Sequence, residues 1–223
     1  MNGLNIIILG PQGSGKGTQA KLLAQKFNLE HLENGDMLRE IASGKDDFSK
    51  KVDEIINHQG RLVPASWIIK MHKLRLQSMS KEQGIIFDGS PRRLIETKML
   101  EKMLNDLGRK IDYVFFIKIS EEETIKRLAI RMTCNDCNQP FIIGKDVKKD
   151  QKKCPKCGGP LYQRKDDIPE KIMMRLKIYR KETIPVINYF KKKGELIEIN
   201  GEQPIEKIHQ DILKYIKYKI LNK

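Results

Sequence analysis

The chain has 223 residues, 39% hydrophobic and 32% charged, with a formal net charge of +14. That composition excludes a disordered or membrane-embedded chain and leaves room for one sizeable α/β core with small insertions. The excess of lysine and arginine raises nucleic acid as a partner, but aromatics are only 6%. The basic stretches KKVDE, KKDQKK, FKKKGE and YIKYKILNK are not interleaved with them, which points to solvated helix faces and phosphate-gathering arginines.

In chain order, Asn5 to Leu9 (NIIIL) is a continuous apolar run, the pattern of a strand covered on both faces. A glycine loop follows, then a helix from about Gly15 to Phe27. Residues 33–63 read as short helices bracketed by GD and QG. GIIFD (Gly84 to Asp88) is a second buried strand that ends in an acid. YVFFIKI (Tyr113 to Ile119) is a third, leading into a helix through Ser120 and Glu123, spaced as a capping box. Residues 132–165 hold all four cysteines among turn residues, with no long periodic stretch. ELIEI (Glu195 to Ile199) is a fourth short strand. A final helix from about Pro204 sets Ile205, Ile208, Ile212, Tyr215 and Ile216 at core spacing. Strands alternating with helices predict an α/β fold: a parallel sheet with helices on both faces. The two segments outside that alternation are expected as insertions over the edge where such sheets bind ligands.

The nine residues Gly10 to Thr18 (GPQGSGKGT) sit between a strand and a helix, the context of a phosphate loop. Gly13, Ser14, Gly15, Lys16, Gly17 and Thr18 would turn backbone N–H groups onto phosphate oxygens at a positive helix end, with Lys16 reaching the outer phosphates. The residue after Lys16 is Gly17, and the hydroxyl comes one later. Mg²⁺ is therefore expected to be held mainly through waters, with Asp88 as their acidic partner.

Cys134, Cys137, Cys154 and Cys157 form Cys-x2-Cys-x16-Cys-x2-Cys. Two such knuckles supply four thiolates to one tetrahedral ion. Zn²⁺ is expected; iron suits the same set. A closed four-thiolate site leaves no open position for water, so its role is structural rather than catalytic. With no export signal and no cysteine left over for disulfides, the compartment expected is a reducing cytoplasm.

GPQGSGKGTQ, GDMLR (35–39), GRLVP (60–64), DGSPRR (88–93) and LYQRKDD (161–167) come in the order found in adenylate kinases, and the cysteine module lies where the long bacterial form carries its zinc lid. The chain resembles that family along essentially its whole length. The resemblance implies Mg²⁺-dependent phosphoryl transfer from ATP to AMP, giving two ADP, by a monomer. It implies a core of residues 1–33, 64–130 and 166–223, a monophosphate-binding insertion at 34–63 and a zinc-bearing lid at 131–165.

Several cations must converge to bring two nucleotides together, and arginine grips phosphate bidentately. By resemblance, Arg39 and Arg92 hold the monophosphate, with Asn34, Arg61, Leu62, Val63, Gly89 and Glu96 around it. Arg127, Phe141 and Gln203 lie by the ATP. Lys16, Arg92, Arg131, Arg164 and Arg175 act on the transferring group, and Arg164 and Arg175 also reach the AMP. Asp166 and Asp167 fix the lid arginines. Spacing of four puts Arg127 and Arg131 on one helix face. Arg93, Phe87 and Ser90 read as surface, packing and loop detail.

Two positions depart from the family pattern: Asn34 stands for the usual threonine before GD, and Glu96 for the usual base-reading glutamine. An ionised carboxylate only accepts hydrogen bonds, which suits guanine's paired donors, so GMP is the alternative acceptor. A different class remains open: an ATPase whose zinc ribbon grips nucleic acid. GDMLR and DGSPRR have a task in the kinase and none in that ATPase.

Overall fold

A computed structural model describes residues 3–164 and 166–221, with side chains to Ile216. Lys165 and the two residues at each terminus, which the expected core and lid bounds include, lie outside the described residues. Among those described, β1 (Asn5–Leu9), β2 (Leu29–Glu33), β3 (Gly84–Asp88), β4 (Tyr113–Lys118) and β8 (Leu196–Asn200) form a parallel five-stranded sheet in the order β2-β3-β1-β4-β8. The three central strands are the apolar runs. Ile6, Ile7, Ile8, Ile85, Ile86, Phe87 and Phe115 have no exposed surface. Each such side chain contributes about 1.5–3 kcal/mol by leaving water.

Alternation along the strands divides the core in two. Ile7, Leu9, Phe87, Val114 and Phe116 face α4 (Ala65–Gln77), α5 (Leu94–Asp106) and α8 (Ile184–Lys192), meeting Leu76, Leu100, Leu104 and Phe190. Ile6, Ile8, Phe115 and Ile117 face α1 (Lys16–Phe27) and α9 (Ile205–Leu221), meeting Ala20, Leu23, Ile208, Ile212 and Ile216. Of the residues assigned to that last core face, Ile205 and Tyr215 are 36% and 48% exposed, so the buried stripe is the narrower set spaced by four.

Strand β2 is not an apolar run. Its residues LEHLE bury only Leu29 and Leu32, because β2 is an edge strand. Strand β1 lies between β3 and β4; the chain runs from β1 toward β2 on one side and from β4 toward β8 on the other, so the crevice opens there at the carboxyl ends of the strands.

Two excursions overhang that crevice. The first holds α2 (Asn34–Ala42), α3 (Asp47–Asp53) and a π-helical turn, Glu54–His58. Asp46 caps α3 by accepting from the Phe48 and Ser49 amides at 2.9 and 3.0 Å. The second is a small antiparallel sheet, β6-β5-β7, of β5 (Arg131–Cys134), β6 (Pro140–Ile142) and β7 (Leu161–Tyr162). Its apolar cluster comprises only Cys134, Phe141, Val147 and Cys154 at its centre, too little to hold a domain without a further tie.

The shared helix face expected for Arg127 and Arg131 is not formed. Helix α6 (Glu121–Ala129) stops two residues short of Arg131, which opens β5. The Ile130 carbonyl accepts from the Ile143 amide at 2.9 Å, so the lid sheet takes the backbone groups a longer helix would use. Ser120 does cap α6, its Oγ accepting from the Glu123 amide at 3.2 Å. The Glu123 carboxylate, which a full capping box would return to Ser120, bonds Arg127 instead.

After the lid, α7 (Pro169–Ile178) continues into α8 through a second π-helical turn, Tyr179–Thr183, in which the Ile184 amide reaches back five residues to the Tyr179 carbonyl. Pro185, which cannot donate, starts the next turn and removes a regular α-helical bond there.

Candidate active site

The loop between β1 and α1 begins the site. Gly13 and Gly15 have φ of 77° and 87°, in the left-handed region that side chains avoid. A Cβ on Gly17 would stand 3.1 Å from Asp88 Oδ2, so the carboxylate at the end of β3 comes right up to the loop. Lys16 follows at the first position of α1. Burial brings its pKa down to about 8, with Arg92 and Arg131 lowering it further against the pull of Asp88. A lysine so placed lies among the arginines, not on the surface.

Arg92 donates through Nε to the Gly89 carbonyl at 2.9 Å, and burial lowers its pKa. Arg131 grips Asp167 through two bonds of 2.7 Å, from Nε and Nη2. Arg175 bonds Asp166 Oδ2 at 2.5 Å and Asp167 Oδ1 at 3.3 Å. Arg164 donates to Thr133 Oγ1 at 3.1 Å. Burial and the charges of Arg131 and Arg39 lower its pKa. Burial works against ionisation of Asp166, but Arg175, Arg131 and Arg164 hold its carboxyl below the usual range. Asp167 is 1% exposed and receives both guanidinium groups. It is the anchor behind the cations.

These residues surround one cleft of about 1030 Å³. Its lining takes in Gly13, Ser14, Gly15, Lys16, Gly17, Thr18, Arg127, Phe141 and Gln203, and also Asn34, Arg39, Arg61, Leu62, Val63, Gly89 and Glu96. Asp88, Arg92, Arg131, Arg164, Asp166 and Arg175 also line it, while Asp167 stands behind the wall. Arg127 braces the phosphate loop by donating to the carbonyls of Gly13 and Gly201 at 3.3 and 3.0 Å. Arg39 pairs with Asp36. Lys171 reaches across to the Asn57 carbonyl at 3.3 Å.

Four residues to which the sequence assigned no functional role border this cleft or its lining. His31 Nε2 is 3.3 Å from Asp88 Oδ2. Glu33, paired with Asp88 in the β2–β3 register, has a pKa raised to about 7 by burial and by the charges of Asp36 and Asp88. Ligand atoms of His31, Glu33 and Asp88 lie within 4.8 Å of one another, a polar corner suited to the water shell of a divalent cation. Ser90, expected as loop detail, donates to Glu96 Oε1 at 2.6 Å. His72 meets Asn34 at 2.7 Å. Only the position of Glu33, directly before NGD, could have been picked out from the sequence. Arg93 is structural, donating to the Val63 carbonyl. Phe87 is core packing, as expected.

The four cysteines come together. All four Sγ atoms lie within 4.8 Å of one another, Cys134 and Cys157 at 3.4 Å and Cys137 and Cys154 at 3.8 Å. None is in a disulfide. Bonds of about 2.3 Å in a tetrahedron put sulfurs roughly 3.8 Å apart, so the set fits a zinc-sized ion. Among the described residues, no helix is long and apolar enough to cross a membrane.

The adenylate kinase family profile matches residues 8–195. The chain is 41% identical to an adenylate kinase of Archaeoglobus fulgidus over 209 residues, 94% of this chain and 96% of that one. It is 40% identical to an adenylate kinase of Methanothrix thermoacetophila over 213 residues, 96% and 98% of the two. With an adenylate kinase of Thermosipho africanus it shares 37% over 214 residues, 96% and 100%. Matched over nearly all its length by proteins of one kind, and with a phosphate loop facing a ring of arginines, the chain belongs to the adenylate kinase family.

Proposed function

We propose that the chain transfers the terminal phosphoryl group of ATP to AMP, reversibly, giving two ADP. The observation that carries this reading is the convergence of Lys16, Arg92, Arg131, Arg164 and Arg175 on one cleft lined both by the phosphate loop and by Asn34, Arg39, Arg61, Gly89 and Glu96. A phosphate oxygen of AMP attacks the γ-phosphorus as the bond to the bridging oxygen breaks. The chain's task is to align the two and neutralise the charge that develops. Lys16 and the amides of residues 13–18 take the ATP phosphates, and Arg127, Phe141 and Gln203 its adenosine. Arg39 and Arg92 take the AMP phosphate. Arg131, Arg164 and Arg175, braced by Asp166 and Asp167, close on the group in flight.

Asp88 would hold waters of a Mg²⁺ that neutralises phosphate charge. The four cysteines would hold a structural Zn²⁺, which supplies the folding energy of residues 131–165. That segment and residues 34–63 then act as units that close over the bound nucleotides and exclude water. Four free thiols suit a reducing cytoplasm, and the reading requires neither nucleic acid nor a second subunit.

The base of the acceptor turns on Glu96. It is 2% exposed, and burial raises its pKa although Ser90 and the nearby Arg92 and Arg93 work the other way. A carboxyl that keeps its proton offers one donor and one acceptor, the pattern adenine's edge needs. The test is product formation by the purified protein with Mg-ATP and each of AMP, GMP, UMP and CMP. Fast conversion of AMP to ADP is expected, with little hydrolysis of ATP and no stimulation by polynucleotide. Preference for GMP would replace the substrate and keep the mechanism. Transfer to no monophosphate, with hydrolysis stimulated by nucleic acid, would overturn the reading.

A further inference from the structure

His72 stands outside all the chemistry so far. It sits on α4 with no exposed surface, its ring 5.3 Å from that of Phe87 in the core. A polar ring there costs free energy unless it is bonded. Its Nε2 is 2.7 Å from Oδ1 of Asn34, thirty-eight positions earlier in the chain. Its Nδ1 is buried and meets no partner.

Burial lowers the His72 pKa to about 4, so near neutral pH the ring carries one N–H. If that proton were on Nδ1, a donor would be buried without an acceptor, and Nε2 would face Oδ1 lone pair to lone pair. With the proton on Nε2, the 2.7 Å contact is a hydrogen bond and only an acceptor is left bare. A buried orphan donor is the rarer and costlier of the two. The tautomer follows: Nε2–H donates to Asn34 Oδ1.

That bond also settles the amide. Asn34 opens α2, is 3% exposed and lines the cleft. With Oδ1 turned inward to His72, Nδ2 and its two N–H groups remain. Among the described residues Nδ2 has no acceptor within the chain. We propose that His72 is a positioning residue for the monophosphate nucleotide: it locks the Asn34 amide so that Nδ2 donates to an acceptor atom of that ligand. An unlocked amide could turn over and offer Oδ1, which an acceptor repels. This rests on the reading of that part of the cleft as a nucleoside monophosphate site.

The experiment compares His72→Leu, His72→Gln, Asn34→Ala and the double variant Asn34→Ala/His72→Leu. Steady-state kinetics give KM and kcat for both substrates, and calorimetry gives the Kd of each monophosphate without turnover. Leu fills the space and removes the donor. Gln carries a neutral N–H at a similar reach. We expect His72→Leu to raise KM and Kd for the monophosphate about tenfold, the worth of roughly one hydrogen bond. Its kcat and KM for ATP should stay within about twofold, the scatter of a neutral change, and His72→Gln should recover most of the loss. In the Asn34→Ala background His72→Leu should add nothing, because the residue it acts through is gone.

Equal effects of His72→Leu with and without Asn34 would overturn the proposal, as would parallel losses for ATP and monophosphate. So would an unchanged monophosphate Kd. If the Leu variant fails to fold, His72→Asn, whose amide stops short of Asn34, must show the same selective rise. A wild type that prefers another monophosphate would revise only the base of the substrate, and the same series is then read with that nucleotide. A wild type that binds no monophosphate overturns both readings.

Discussion

Asp167→Asn is the most informative single change. The carboxylate is 1% exposed, takes two 2.7 Å bonds from Arg131 and one 3.3 Å bond from Arg175, and so bears two positive charges from the protein interior. Asparagine keeps the shape. Placed at Oδ1, its oxygen can still accept from Arg131 Nη2 and Arg175 Nη1, but its NH2 at Oδ2 then meets Arg131 Nε donor against donor, and the charge is lost. Removing one partner of a buried ion pair costs about 3–5 kcal/mol. The surviving bonds put this case near the lower figure, about 3 kcal/mol. For a chain of this size each kcal/mol moves Tm by roughly 2–4 °C, so a fall of roughly 6–12 °C is expected by circular dichroism or calorimetry. Freed from its anchor, Arg131 samples other positions. A misplacement of about 1 Å at a reacting centre costs on the order of a hundredfold in rate, and kcat should fall by that order. Asp166→Asn is the internal control: that side chain is 44% exposed, and loss of an exposed ion pair costs under about 1 kcal/mol. Equal Tm losses for the two variants, or an Asp167→Asn enzyme with wild-type kcat, would refute the idea that a buried carboxylate organises the arginines.

Other expectations follow from the same structure. The Glu96 carboxyl has a raised pKa in the folded chain, so its stabilising effect is present below its unfolded value and lost as pH rises through the folded one. Glu96→Gln should therefore gain Tm over wild type at pH 8 more than at pH 5, and its KM for AMP should stay flat with pH where the wild-type value rises. Burial and the charges of Asp36 and Asp88 raise the Glu33 pKa to about 7, so its contribution is likewise lost as pH rises. Glu33→Gln should be more stable than wild type at pH 8.5 and no more stable at pH 5.5, as denaturant titrations would show. Metal analysis should find one zinc-sized ion per chain. Cys134→Ala/Cys157→Ala should lose it, become protease-sensitive between residues 131 and 164, and keep the helical circular dichroism of the core.

The central sheet was readable because β1, β3 and β4 are buried on both faces and thus apolar without interruption. Edge strand β2 escaped notice for the opposite reason: Glu30, His31 and Glu33 leave only Leu29 and Leu32 buried, and Glu33 lines the cleft. The lid strands, at most four residues long, are held by thiolates rather than by hydrophobic period, so no periodicity announces them. Arginines at motif positions could be named in advance. Their anchors could be named only in part, because Asp167 is near in sequence to Arg175 but thirty-six positions from Arg131. The Ser90–Glu96 and Asn34–His72 pairs were hidden altogether. Asn34 and Glu96 stand out as departures from the family pattern, but Ser90 and His72 read as ordinary loop and helix residues, and only folding brings each pair within 3 Å.

The wide turns at Glu54–His58 and Tyr179–Thr183 carry a mechanical consequence. One lies in the first excursion over the cleft. The other joins the helix bearing Arg175 to the helix packed under the sheet, and Thr183 Oγ1 within it donates to the Arg92 carbonyl at 3.3 Å. A π turn holds one residue more than the α-helix around it. Moving that surplus residue along the axis turns only the residues it passes, by about 100°, while nearly every backbone amide keeps an acceptor. The molecule thus carries its two surplus residues in helix rather than in loop, one in the excursion over the cleft and one in the chain segment that follows Arg175.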